Sequence, residues 1–65
     1  MRDVSRTELE HAIDEWILNE KHRMVLRRRL IDGITYERLS EEFDMSVRQI
    51  KTIVYKGEEK LFRHL

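Results

Sequence analysis

The stretch Thr35–Lys56 constrains the fold most, because it predicts two helices that meet at a three-residue corner. Thr35 is placed to cap the first helix, and Glu37 in its first turn favours the helix dipole. The corner is Asp44-Met45-Ser46. Because Asp enters the left-handed turn conformation at low cost, we expect Asp44 to end the first helix. Ser46 is then the N-cap of the second helix.

Apolar spacing assigns an inner and an outer face to both helices. Apolar residues, with one glycine, recur at steps of three and four and therefore share one face. They are Tyr36, Leu39 and Phe43 in the first helix, and Val47, Ile50, Val54 and Gly57 in the second. The outer face of the second helix holds Arg48, Gln49, Lys51, Thr52, Tyr55 and Lys56. A short helix, a tight corner and a polar second helix form the layout of a helix-turn-helix.

The outer face of the second helix has the chemistry that the major groove of DNA requires. Arg48 and Lys51 can donate to guanine O6 and N7, and Gln49 can pair with adenine. The methyl group of Thr52 can meet that of thymine. The alternative is the solvated face of an ordinary amphipathic helix. The corner spacing favours DNA binding, with residues 46–56 as the recognition helix.

Charge is distributed unevenly along the 65 residues, which make a single domain with a thin core. Residues 1–20 hold two basic and six acidic residues, a net charge of minus four. Residues 21–65 hold eleven basic and seven acidic residues, a net charge of plus four. The positive part would attract phosphates, and the acidic end would avoid them or meet a basic protein.

Several classes of function are excluded by what the sequence lacks. There is no cysteine, and His11, His22 and His64 have no ligand spacing, so we expect no metal site. Without a nucleophile constellation or a glycine-rich phosphate loop, we predict neither an enzyme nor a cofactor. No apolar run approaches the roughly 20 residues of a membrane span, and no signal peptide is apparent. We therefore expect a cytoplasmic protein without a membrane partner.

The whole chain predicts an all-α, four-helix domain, with helices at about 7–19, 21–32, 35–43 and 46–64. Thr7 is expected to cap the first helix, in which Trp16 is a core anchor or part of an exposed contact patch. Met24 is a candidate for the inner face of the second helix, and Gly33 is its left-handed C-cap. Because glycine costs about 1 kcal/mol against alanine inside a helix, Gly57 indicates a close helix contact or a bend.

The second helix concentrates four arginines within seven residues: Arg23, Arg27, Arg28 and Arg29. We expect some of them, Arg28 and Arg29 among them, to reach phosphate oxygens beside the recognition helix. Such contacts fix orientation without reading sequence. The alternative, with equal support, is a solvated basic face paired with the acidic first helix. Both interpretations can hold for different arginines.

Several segments resemble region 4 of the sigma-70 family of RNA polymerase sigma factors. They are RMVL at 23–26, LIDGITYERL at 30–39, MSV at 45–47, Ile50-Lys51 and GEEKL at 57–61. The resemblance implies a small domain with a winged-helix-like, three-helix core, whose last helix reads the −35 promoter element while the domain touches the polymerase flap. At matching positions it implies that Arg48, Gln49, Lys51, Thr52 and Tyr55 face bases or nearby phosphates. It also implies that Thr35 and Arg38 meet the DNA backbone.

The chain departs from the family pattern at three positions. Ser40 replaces a usual alanine, Asp44 replaces the corner glycine, and Ile53 stands where a basic residue is frequent. An exposed Ile53 would touch a thymine methyl or pack on another protein. The resemblance covers region 4 alone and implies a free-standing regulator of the kind that phages and other mobile elements encode, with an excised domain as the competing interpretation.

Two alternatives remain. The DNA-binding domains of LuxR-type response regulators share the four-helix plan, and that resemblance implies a homodimer formed through Leu61, Phe62 and Leu65. The second alternative is a protein-interaction module that docks RNA polymerase with little DNA contact. In that module Trp16 or Phe62 would be essential, whereas the face of Arg48 would be dispensable.

Overall fold

The computed structural model describes residues 4–65, which form helices joined by short loops. The helices are α1 (Arg6–Trp16), α2 (Glu20–Leu26), α3 (Tyr36–Phe43) and α4 (Val47–His64). A π-helical turn, Arg27–Ile31, continues α2. The prediction of a small all-α fold is therefore confirmed, and none of the helices in the described part of the chain is long and apolar enough to cross a membrane.

Side-chain caps fix where the α-helices begin. The hydroxyl of Thr35 accepts a hydrogen bond from the backbone N–H of Arg38 at 3.2 Å, as predicted for the start of α3. The prediction of Thr7 as the first cap is wrong, because the hydroxyl of Ser5 accepts from Glu8 N–H at 3.1 Å and α1 begins at Arg6. The sequence contains that signal, since Ser followed three residues later by Glu is typical of a helix start.

The first helix is shorter than predicted. It ends at Trp16 rather than near residue 19, because Ile17 is extended with φ −101° and ψ 106°. Asn19 then caps α2, its side chain accepting from His22 N–H at 3.1 Å.

Two residues in a left-handed conformation follow the later helical segments. Gly33 has φ 70°, and Asp44 has φ 53° and ψ 48°. The predicted left-handed conformations of Gly33 and Asp44 are therefore confirmed.

The end of the second helical segment is wider than an α-helix. Asp32 N–H donates to the carbonyl of Arg27, five residues earlier, at 3.2 Å. Sequence periodicity predicts a continuous helix here and gives no sign of the π-helical turn. From this turn Arg27 reaches Asp14 on α1, while Arg28 reaches Glu42 on α3. The turn thus carries ion pairs to both neighbouring helices.

The core has two parts, and α4 contributes to both. The first cluster holds Ala12, Ile13, Ile17, Leu26 and Leu61. The second cluster holds Val25, Leu39, Ile50, Ile53 and Val54. Adjacent residues of α2, Val25 and Leu26, therefore join the two. Gly57 on α4 lies against Leu26, and a Cβ there would be 2.6 Å from both Leu26 Cδ atoms. The predicted close helix contact at Gly57 is confirmed.

The burial of three residues differs from what the sequence suggests. Ile53, which the predicted inner face of the last helix does not include, is only 8% exposed, and Leu61, which the LuxR-type alternative assigns to a dimer contact, is fully buried. The reason is that the inner stripe of α4 is Ile50, Ile53, Val54, Gly57 and Leu61, with Val47 half-buried at its edge. Met24, a candidate for the inner face, is 52% exposed.

The remaining residues of the predicted protein interface lie at the end of the molecule where α1 meets α4. Trp16 is half-buried against the first cluster, and its ring stacks on that of His64 with centroids 3.7 Å apart and 6° between planes. The interpretation of Trp16 as a core anchor agrees with this packing. Leu65 also packs against the first cluster, whereas Phe62 is 53% exposed.

Candidate nucleic-acid interface

The first three turns of α4 expose the polar set that the sequence predicts. We call this surface the recognition face and define it as Arg48, Gln49, Lys51, Thr52, Tyr55 and Lys56, all of which are exposed. The face is held at a fixed angle by the corner at Asp44 and by the burial of Ile50 and Val54 on the opposite side of the helix. No acidic residue occurs between positions 46 and 56. The surface is therefore suited to a polyanion.

Gln49 has a structural role that the sequence analysis missed. Its Oε1 accepts from the backbone N–H of Ser46 at 2.9 Å, while the Ser46 hydroxyl accepts from the backbone N–H of Gln49 at 3.1 Å. This is a reciprocal capping box, and its signal is the Ser-x-x-Gln spacing. The amide Nε2 remains as a donor. A bidentate pair with adenine would require Oε1 either to accept a second hydrogen bond, from the adenine amino group, or to leave the cap.

Thr52 also makes a hydrogen bond within the helix. Its hydroxyl donates to the carbonyl of Arg48 at 3.0 Å, one turn earlier. Because the hydroxyl proton is already donated, Thr52 can offer a base its methyl group and the lone pairs of the hydroxyl oxygen. The contact with a thymine methyl stays a prediction.

Tyr36 gathers two cations and a second aromatic ring beside the recognition face. The guanidinium carbon of Arg29 lies 4.2 Å from its ring centroid, and Lys51 Nζ lies 5.6 Å from it. The ring of Tyr55 meets it edge-on, with centroids 6.4 Å apart. Arg29 also donates to the carbonyl of Ile34 at 3.0 Å. Arg29 is thus oriented by an aromatic face and a carbonyl, and stands on the Lys51 side of α4.

The start of α3 lies next to this cluster. Thr35 and Arg38, both predicted to meet the DNA backbone, are exposed there. The Thr35 hydroxyl accepts from Arg38 N–H as part of the cap. Because a helix N-terminus carries partial positive charge, this end of α3 adds to the field of Arg29 and Arg38.

The other arginines of the second helical segment bind groups of the protein itself. Arg23 donates to the carbonyls of Ile17 and Asp14. Arg27 contacts the Asp14 carboxylate at 2.7 Å, and this hydrogen bond holds the pKa of Asp14 below its ordinary value. The alternative of a basic face paired with the acidic first helix therefore describes Arg27.

Arg28 is bound to two carboxylates. Its Nε and Nη2 donate to Glu42 at 2.9 and 2.7 Å, and its Nη1 donates to Asp32 at 3.2 Å. The hydrogen bonds with Glu42 lower the pKa of that carboxyl group and raise the pKa of the guanidinium. A phosphate contact by Arg28 stays a prediction, and it would have to compete with both carboxylates.

Among residues 4–65, no three His, Asp or Glu side chains lie close enough together to hold a metal ion.

Comparison with known proteins gives a match to the family described as sigma-70, region 4, over residues 17–63. The matched segment contains α2, the π-helical turn, α3 and nearly all of α4. No curated protein and no solved structure matches the chain.

Proposed function

The chain belongs to the sigma-70, region 4 family of DNA-binding domains, and on that basis we propose that it is a sequence-specific transcriptional regulator. In this proposal the N-terminal half of α4, residues 46–56, enters the major groove of duplex DNA. The family likeness covers the coarse role of a DNA-binding regulator. The particular contacts are inferred from the geometry of the recognition face.

One observation carries the proposal. The recognition face presents three cations, Arg48, Lys51 and Lys56, on the exposed side of a helix that begins at a left-handed corner. None of the three takes part in an ion pair within residues 4–65. Their charge is therefore available to an external polyanion.

The side chains divide into two roles. We assign base contacts to Arg48, Gln49 and Thr52, which present a guanidinium, an amide donor and a methyl group. We assign backbone contacts to the cations and the capped helix start around them, where charge or a helix dipole meets phosphate, and to the hydroxyl group of Tyr55. These are Lys51, Tyr55, Lys56, Thr35, Arg38, Arg28 and Arg29.

RNA polymerase is the protein partner that we propose, since the family acts on that enzyme. A homodimer formed through the end of α4 has less support, because Leu61 is buried and Leu65 packs against the first cluster. Phe62 alone among the three predicted contacts is largely exposed. Sedimentation of the free protein and of its DNA complex distinguishes a monomer from a dimer.

The test is a fluorescence-anisotropy titration with a labelled pool of random duplex DNA at two salt concentrations, followed by selection of the bound sequences. We expect affinity to fall steeply with salt, because phosphate contacts release counterions. Replacing Arg48, Lys51 and Lys56 together by alanine should abolish binding. Lys21→Ala, which removes an exposed cation from α2, is the matched control and should retain it. Binding that is insensitive to salt, or equal for both variants, would contradict the proposal.

A further inference from the structure

Three parts of the fold meet at the ring of Tyr36, the first residue of α3. Arg29, whose guanidinium carbon lies 4.2 Å from the ring centroid, belongs to the π-helical turn. Lys51 and Tyr55 belong to α4, with Lys51 Nζ 5.6 Å from the same centroid and the Tyr55 ring edge-on to it at 6.4 Å. Tyr36 is half-buried and packs against the second cluster. The core thus fixes a ring that lies within cation–π distance of both cations.

Arg29 is held in a different way from its neighbour. Arg28 is bound to two carboxylates, which balance its charge. Arg29 instead meets the face of a neutral ring and donates from Nη1 to the carbonyl of Ile34 at 3.0 Å. No ion pair within residues 4–65 engages Arg29 or Lys51. Arg29 is therefore ordered by partners that leave its positive charge uncompensated.

The donors of Arg29 are largely unused. A guanidinium carries N–H donors on three nitrogens, and among the described residues only Nη1 of Arg29 has a hydrogen-bond partner. The other donors can bind a phosphate oxygen, and the ammonium group of Lys51 adds further donors nearby. A side chain that is ordered before it binds loses less conformational entropy on binding. Tyr36 can therefore strengthen a phosphate contact without touching the phosphate.

We propose that Tyr36 is a positioning residue for DNA, whose ring holds Arg29 and Lys51 together so that both bind phosphates of one strand. Successive phosphates of a strand are separated by about 3.4 Å along the helix axis, so two neighbouring cations can reach the same stretch of backbone. Every contact that ties Tyr36 to these cations involves its ring, and its hydroxyl group has no part in the proposal. The proposal rests on the proposed function and names the residue on which its backbone contacts depend.

Two substitutions of Tyr36 separate the ring from the hydroxyl group. Tyr36→Leu keeps an apolar side chain for the core but removes the ring, whereas Tyr36→Phe removes the hydroxyl group alone. By anisotropy titration, we expect Tyr36→Leu to weaken all duplexes alike by about three- to tenfold, the cost of ordering a long side chain on binding. Tyr36→Phe should bind as tightly as the unaltered protein. Circular dichroism verifies that both variants are folded.

Phe43→Leu is the matched control. Phe43 lies at the other end of α3 and packs against the same second cluster. Within residues 4–65, the cations that lie over an aromatic ring are both at Tyr36. Phe43→Leu therefore removes an aromatic ring from the same part of the core without releasing a cation, and it should leave DNA affinity unchanged.

A double-mutant comparison shows whether Tyr36 acts through the two cations. In a protein that already carries Arg29→Ala and Lys51→Ala, the further change Tyr36→Leu should weaken DNA binding no more, when measured at low salt. A role of Tyr36 that merely shapes α3 would persist in this background. The effects would then add.

The phosphates concerned can be located with duplexes in which single phosphates are replaced by uncharged methylphosphonates. On one strand of a selected duplex, we expect individual replacements to weaken the unaltered protein and Tyr36→Phe at the same positions. Tyr36→Leu should be less sensitive at those positions, because its cations are no longer held there. A general loss of stability would not change the pattern of sensitive phosphates.

The outcomes distinguish this proposal from the proposed function. A loss in Tyr36→Phe equal to that in Tyr36→Leu means that the hydroxyl group binds DNA directly, and it overturns the proposal. Additive effects in the double-mutant comparison, or an unchanged pattern of sensitive phosphates in Tyr36→Leu, also overturn it. If the unaltered protein binds duplex DNA and Tyr36→Leu binds equally well, the positioning role fails while the proposed function stands. If the unaltered protein binds no duplex, both fail.

Discussion

Gly57 and Leu26 lie so close that a methyl group on the glycine would be 2.6 Å from both Cδ atoms of the leucine. Leu26 is fully buried and belongs to the first cluster together with Ile13, Ile17 and Leu61, so neighbouring side chains restrict its movement. A side chain at this point of α4 would therefore have to displace Leu26 on α2.

We expect Gly57→Ala to lower the free energy of unfolding by about 1–3 kcal/mol, as overpacking in a core generally does. This is opposite to the gain of about 1 kcal/mol that alanine normally gives in a helix interior. Urea denaturation followed by circular dichroism measures it. In a Leu26→Ala background, where space has been made, the same substitution should be neutral or stabilising. Stabilisation in the unaltered protein would contradict the packing argument.

Substitutions of Gln49 can distinguish its role in the cap of α4 from its proposed role in base recognition. Gln49→Glu keeps an oxygen for the backbone N–H of Ser46 but loses the amide donor, so the thermal unfolding temperature should hold while base preference changes at one position. Gln49→Ala should change the preference and also destabilise the protein by about 0.5–1 kcal/mol. Selection from a randomised duplex pool, with melting curves of each variant, provides both measurements. An unaltered preference in both variants would remove Gln49 from the base contacts.

Arg29 and Arg28 should differ in their effect on DNA affinity. Arg29 is oriented by Tyr36 and lies near Lys51, whereas Arg28 is neutralised by Glu42 and Asp32. We expect Arg29→Ala to weaken all duplexes alike and to reduce the slope of log affinity against log salt by about 1. Arg28→Ala should have the smaller effect on that slope. Equal slopes for the two variants would show that Asp32 and Glu42 do not prevent Arg28 from contacting phosphate.

Acid should destabilise the protein through Asp14 and Glu42. Hydrogen bonds from Arg27 and Arg28 lower the pKa of these carboxyl groups in the folded state. A lowered carboxyl pKa stabilises the fold above the unfolded-state pKa, and this contribution is lost as pH falls through the folded-state value. The melting temperature should therefore decrease as pH drops from about 5 to about 3.

The contribution is expected to be small because these ion pairs are solvent-exposed. Glu42→Gln should flatten the acid side of the melting-temperature profile. Glu41→Gln, an exposed neighbour without an ion pair among residues 4–65, is the control and should leave the profile as it is. Identical profiles for the two variants would contradict the role of the Arg28–Glu42 pair.

Local chemistry accounts for the parts of the fold that the sequence predicts correctly. Thr35 and Ser46 cap helices, Asp44 and Gly33 adopt left-handed conformations, and each of these choices depends on a few neighbouring residues. The spacings Ser5-x-x-Glu8 and Ser46-x-x-Gln49 carry cap signals of the same kind, which compete in the sequence with Thr7 as a cap and with a major-groove role for Gln49. Cap spacing is therefore informative at both positions.

The features that the sequence does not predict depend on contacts between segments that are distant along the chain. The burial of Ile53 depends on Val25 and Leu39, which belong to other helices, and the periodicity of α4 alone does not distinguish its stripe from the one that begins at Val47. Arg28 and Glu42 are likewise fourteen positions apart and meet only after the π-helical turn has formed. The sequence shows that arginines are concentrated in this segment, but not which carboxylates bind them.

The stack of Trp16 on His64 gives the molecule an intrinsic optical reporter. Trp16 is the only tryptophan in the chain, so all indole emission comes from the place where the first helix meets the last turn of the fourth. The helix that ends there begins in the recognition face. The fluorescence of Trp16 therefore reports, without any added label, whether a ligand bound at the start of α4 disturbs the packing at its end.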